Sequence, residues 1–181
     1  MRYRAILVLV FAALCTRLSH GQDWKTTLAD DITKFGHRNW IVVADSAYPL
    51  QTSPGIETMV VDVDQLTVIG QVIDDLKKAK HVRAIVYTDS ELSFVPEQDA
   101  KGVIAYREAL AKLLSSQGSH QTLPHEQILQ KLDQAGKSFK VLIIKTPLTI
   151  PYTSVFFQLD CGYWSNEAEQ RLRAAMAASG K

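Results

Sequence analysis

Six short apolar runs, rich in β-branched and aromatic residues, alternate with longer stretches whose apolar side chains recur every three or four positions. That alternation restricts the chain to few architectures, because a strand repeats every two residues and a helix every 3.6. The runs 40–44, 58–63, 82–87, 121–123, 139–145 and 154–160 are the expected strands. Between them, Leu28, Ile32 and Phe35 share one helical face that stops at Gly36. Leu66, Ile69, Val72, Ile73, Leu76 and Ala79 share another, which Asp64 is placed to cap. Further helices are expected over 97–116, where Val103, Ile104, Leu110, Leu113 and Leu114 are apolar, and over 125–135, ending before Gly136. Strands interleaved with helices define a layered α/β domain with a mostly parallel or mixed sheet flanked by helices. Residues 22–164 form this single domain. Ser165 then caps a C-terminal helical extension over 165–181, with Leu172 and Met176 on one face.

The first 21 residues stand apart. Arg2 and Arg4 precede an apolar run from Ala5 to Cys15, and Ser19 and Gly21 supply small residues before Gln22. A basic start, a run too short to span a bilayer and a small-residue exit read as a secretory signal cleaved before Gln22. The expected destination is the periplasm or the outside of the cell. Leu14 stands where a small residue would be needed before a lipidated Cys15, which argues against a lipoprotein. Cleavage removes three arginines and no acid, taking the formal net charge from +1 to −2. A mildly acidic chain has no electrostatic case for nucleic acid or for an anionic membrane. Cys161 is then the only cysteine, so an internal disulfide and a cysteine zinc site are both excluded, and the five histidines show no paired metal-ligand spacing.

Two polar residues sit at the ends of expected elements, where a rigid scaffold can present them. His37 follows the helix stop at Gly36, and Asp45 follows the strand 40–44, eight residues on. A histidine titrates near neutrality, and an aspartate can orient it or hold a substrate hydroxyl. Taken alone, the same residues also read as an exposed turn and a strand-end cap.

With Gly36-His37, the segment Asp45 to Pro49, Pro124-His125-Glu126, and Lys145-Thr146 leading to Pro151-Tyr152 in one order along the chain, the sequence resembles the RbsD/FucU family of D-ribose pyranases and L-fucose mutarotases. The resemblance implies the same α/β class. It also implies interconversion of sugar ring forms by proton transfer, with no cofactor and no metal. By the same resemblance His37 and Asp45 are the catalytic acid/base pair, and His125, Lys145, Tyr152 and Ser154 bind a monosaccharide. It further implies a homo-oligomer with the site at a subunit interface, Tyr152 commonly reaching the sugar from an adjoining subunit. His125 opens an expected helix, whose positive end would keep the imidazole neutral. The residues Pro124, His125 and Glu126 are equally what a helix start with no function would show.

Departures from the family pattern bear on specificity. Its Tyr-Ala-Asn is Tyr152-Thr153-Ser154 here, which shortens the reach of the last polar group. Its Arg-Thr-Gly-Glu is Lys145-Thr146-Pro147-Leu148, which keeps a charge without the bidentate fork and removes an acid. Leu129 stands where many ribose-type members carry a basic residue. Three functions therefore compete: an exported mutarotase or pyranase, a monosaccharide-binding module without turnover, and an interaction domain with no ligand, the last favoured if His37 and Asp45 point apart.

Overall fold

The computed structural model describes residues 24–180, so the export segment read at residues 1–21 lies outside the described residues. The chain runs through α1 (Trp24–Lys34), β1 (Trp40–Ala44), β2 (Ile56–Val60), α2 (Gln65–Lys78) and β3 (Val82–Asp89), then a 3₁₀ turn at Ser90–Phe94. It continues through α3 (Val103–Leu114), β4 (His120–Leu123), α4 (His125–Gly136), β5 (Val141–Lys145), β6 (Val155–Cys161) and α5 (Asn166–Ala178). The strands form one sheet in the order β2-β5-β1-β6-β3-β4. β6 runs antiparallel to both β1 and β3, whereas the other pairings are parallel. The sheet is therefore mixed, as the alternation of elements predicts.

Side-chain alternation along β1 divides the interior in two. Ile41 and Val43 face α1, α2 and α3, where they join Leu28, Val68, Val72 and Leu110. Trp40, Val42 and Ala44 face α4, where Ile128 and Leu132 close over them. Each helix thus buries one apolar stripe, and β1, covered on both sides, is buried at every position. Phe156 and Phe157 of β6 point into the two opposite layers and are both fully buried. Burial of a side chain of that size is worth about 1.5–3 kcal/mol.

Element ends moved where long-range contacts override local pattern. β2 begins at Ile56 because Gly55 is pressed against the α4 terminus: a Cβ on Gly55 would lie 2.2 Å from the Phe139 carbonyl oxygen. β3 continues two residues beyond the apolar run, through Thr88 to Asp89, because β4 pairs with Val86–Asp89. α3 starts at Val103 and not at Glu97, since Gly102 adopts a left-handed backbone with φ of 91°. The Glu97 carboxylate instead accepts the N–H groups of Gly102 and Ile104, capping the helix from outside. At the C-terminus Ser165 caps α5 as expected, its hydroxyl accepting the Ala168 N–H. No residue of α5 is buried, however, so Leu172 and Met176 face solvent and not the domain.

Candidate functional site

Polar residues gather where β1, β3 and β5 end and β6 begins, outside the carboxyl ends of the parallel strands. Open α/β sheets bind ligands at this end, because strand ends and helix starts converge there around a crevice. Asp45 follows β1, Asp89 ends β3, Lys145 ends β5, Ser154 precedes β6, and His125 opens α4. Asp45 and His125 line a cavity of about 340 Å³ together with Tyr48, Ile150 and Tyr152, among others. That volume lies at the small end of the range for ligand pockets, roughly 300–1,000 Å³.

Asp45 is held by its own turn. Its Oδ1 accepts the Ala47 N–H at 2.8 Å, and the Ser154 hydroxyl lies 3.4 Å from Oδ2. Lys145 donates to the Tyr48 carbonyl at 2.6 Å, fastening the 45–49 segment to β5. Thr146 secures the end of β1 in the same way, its backbone N–H and its hydroxyl both donating to the Ala44 carbonyl. Tyr48 is buried, and its hydroxyl donates to Gln51. Burial, with the charges of Asp89, Asp133 and Asp45 around it, drives that phenol far above its ordinary value, so it stays neutral and acts as a donor.

His125 is fixed at both its ring and its backbone. Its Nδ1 lies 3.1 Å from Asp89 Oδ1, with the histidine side chain 24% exposed and the aspartate 0%. The two atoms are close enough for an ion pair but out of line for a well-formed hydrogen bond. Both oxygens of Glu91 accept the His125 backbone N–H, at 3.0 and 3.1 Å, supplying the cap that Pro124 cannot. Interaction with Asp89 raises the His125 pKa above the ordinary histidine value of 6.5, against the opposing effect of burial. Burial in turn pushes the Asp89 carboxyl up, while His125 draws it down. The imidazole therefore holds its proton to a higher pH than a free histidine, contrary to the neutral ring expected from its place at a helix start. The charges of Asp89, Glu91 and Glu126 act together in raising the His125 pKa, and burial opposes them.

Tyr152 stands edge-on to His125, with ring centroids 5.6 Å apart and planes at 84°. It lies against the histidine of its own chain. Its backbone is left-handed, with φ of 59°, a conformation that a Cβ makes unfavourable and that persists only when the surroundings enforce it. They do so through a buried network behind the site. Gln65 donates to the carbonyls of Val43 and Thr153, the Tyr106 hydroxyl lies 3.1 Å from both Gln65 Oε1 and the Thr153 carbonyl, and Thr153 donates to Ile150.

Five of the six site residues read from the sequence therefore converge: Asp45, His125 and Tyr152 line the cavity, and Ser154 and Lys145 lie just behind it, against Asp45 and Tyr48. His37 does not. It is exposed in the turn before β1, and all of β1, about 17 Å of extended chain, separates it from Asp45. No pair of His37 with Asp45 forms within one chain, because residues before and after a strand emerge at opposite ends of the sheet. Sequence reading missed Asp89 and Glu91. Their signal was the polar Thr88-Asp89-Ser90-Glu91 stretch closing an apolar strand, the same context that singled out Asp45.

The mixed sheet, with its helices on two faces and its cluster at the strand ends, defines an α/β protein with a small pocket at the carboxyl ends of its parallel strands. Residues 25–162 match the model of the RbsD / FucU transport protein family, and the chain belongs to that family. Among solved structures it is similar to RbsD of Bacillus subtilis complexed with D-ribose, at 18% identity over 75% of this chain and 92% of that one, with a TM-score of 0.54. It is also similar to FucU of Bifidobacterium longum, at 13% identity over 75% and 94% of the two chains, with a TM-score of 0.53. At these identities the likeness is one of fold. No curated protein matched the sequence.

Proposed function

We propose that the protein interconverts the ring forms of a monosaccharide, as a mutarotase or pyranase that works by general acid/base proton transfer without a cofactor. The observation that supports this most directly is the His125–Asp89 pair facing Asp45 across a small cavity. Ring opening removes a proton from the anomeric hydroxyl, breaks the bond between the anomeric carbon and the ring oxygen, and delivers a proton to that oxygen. Asp45 accepts the first proton, and His125, whose hold on its proton Asp89 strengthens, supplies the second. Closure on either face of the aldehyde returns both protons and yields either anomer. Attack by a different hydroxyl changes the ring size. Tyr152 covers an apolar face of the sugar and offers its hydroxyl to a sugar oxygen.

In this proposal the protein is a homo-oligomer with the pocket at a subunit boundary. Leu50, 75% exposed beside the pocket residue Pro49, and the exposed Tyr152 support it. His37 then reaches a pocket only as a residue of a neighbouring copy. The protein is exported, residues 1–21 being the signal, and N-terminal sequencing of the secreted or periplasmic chain is expected to begin at Gln22.

A second reading, a sugar-binding module without turnover, is favoured by Lys145. It is committed to the Tyr48 carbonyl and is not free to face a ligand. Saturation-transfer NMR on the purified protein with ribose, fucose and galactose separates the two. Exchange between ring forms faster than in buffer supports the enzyme. Binding with exchange no faster than in buffer replaces it with the binding module.

A further inference from the structure

Remote from the sugar pocket, β3 is paired unevenly. On one side β6 pairs with all of Val82–Thr88 in unbroken register, while on the other β4 reaches only Val86–Asp89. The backbone direction follows from two bonds. The His81 carbonyl accepts from Gly162 at the β6 side, and the Val86 N–H donates to Ser119 at the β4 side. Residues two apart in a strand direct their N–H and C=O the same way, so those of Val82 and Ala84 point to the β4 side, where no strand lies beside them.

This open edge borders a groove of about 650 Å³. Ile73 and Leu76 of α2 line it with Val82 and Ile85, and Gly118 stands in the loop that leads into β4. Lys77 and Lys80 form its rim, are exposed, and have no ion-pair partner among the described residues. The remaining cation, Arg83, is already neutralised by Asp160 at 2.6 Å, with Glu167 adding to that field. The free charge of the groove is therefore positive.

We propose that this groove binds an extended acidic peptide segment of a partner protein, which adds a strand to β3 in line with β4. Main-chain bonds to Val82 and Ala84 supply the pairing, and Lys77 and Lys80 select carboxylate side chains. The four residues Val82–Ile85 offer about 13 Å of edge, room for one short strand. A second copy of this chain is a poor occupant, because edge-to-edge pairing would bring both pairs of lysines together. Lysines that merely protect the edge from aggregation are the competing explanation.

Amide NMR on the ¹⁵N-labelled protein distinguishes these. A capped six-residue peptide alternating glutamate and valine is expected to shift the amides of Val82 and Ala84, with a Kd of about 1 mM or tighter. Analogues with glutamine or lysine in place of glutamate are expected to bind at least about tenfold more weakly, as is the glutamate peptide to the K77E/K80E double variant. Ala84→Pro removes an N–H that faces the groove and leaves the β6 ladder intact, so it is expected to abolish the shifts. The proposal is overturned if the lysine peptide binds as tightly, if the shifts fall elsewhere, if Ala84→Pro binds like the parent, or if no peptide binds.

Discussion

His125 draws its properties from residues far away in sequence, and its titration is the most direct test of the site. Asp89 is 36 positions earlier and Glu91 is 34, yet one raises the imidazole pKa and the other holds the backbone that carries the ring. Replacing Asp89 by Asn removes the largest upward influence and leaves burial opposed only by the weaker effects of Glu91 and Glu126. NMR titration is expected to put the His125 pKa above 6.5 in the parent and at a lower value in Asp89→Asn. The sign for stability follows. Because the folded value is raised, the His125–Asp89 interaction contributes fully below the unfolded value of 6.5 and is lost as pH rises through the folded value. In activity, the limb that reports loss of the acid is expected to move to lower pH in Asp89→Asn. Asp45→Asn and His125→Gln are each expected to slow ring-form exchange by roughly 10²-fold or more, measured by saturation transfer. Tyr152→Gly separates two effects at one position. It relieves a left-handed backbone, worth about 1–2 kcal/mol in a denaturant melt, while weakening sugar binding through loss of the ring.

Among the elements, β6 links the core to the site. Its Phe157 anchors the α1–α3 layer, and the residues just before it, Thr153 and Ser154, are buried where the strand enters the sheet. Phe157→Ala is expected to destabilise by about 3–5 kcal/mol, the range for a large side chain removed from a packed interior. Tyr106→Phe removes only the hydroxyl that Gln65 and Thr153 share, and is expected to destabilise by about 1–3 kcal/mol. Because the same network holds Tyr152 in place, that variant is also expected to weaken sugar binding without contact to the sugar. α5 contrasts with β6. It buries none of its residues, so deleting 165–181 is expected to change stability by no more than about 0.5 kcal/mol, read by thermal unfolding.

For the whole molecule, His37 is the residue that separates a self-sufficient subunit from an assembly. It is exposed at the amino end of β1, and the cavity lies beyond the carboxyl end. If the pocket sits at a subunit boundary and a neighbour supplies His37, His37→Ala and Asp45→Asn proteins are each expected to lose activity alone. Unfolded together and reassembled, they are expected to regain part of it, because some pockets then combine an intact Asp45 with an intact His37. Light scattering checks the assembly, and equal activity of His37→Ala and the parent would show that His37 has no part in the reaction.

The amino-acid sequence specifies the kinds of elements and most of their extents. Periodicity and capping are local, and the spacing within 66–79, with Asp64 before it, needs no distant partner to specify a helix. It also carried the segments that became the strand-end cluster, so Asp45, His125, Tyr152 and Ser154 were legible as candidates. The tertiary structure decided which of them meet. Whether His37 or Asp89 shares a pocket with its neighbours depends on strand direction and sheet order, which are set by burying both faces of β1 and β6 and not by any residue pattern at those positions. The raised pKa of His125 arises there too, since Asp89 and Glu91 reach it only when β3, its following turn and α4 pack together.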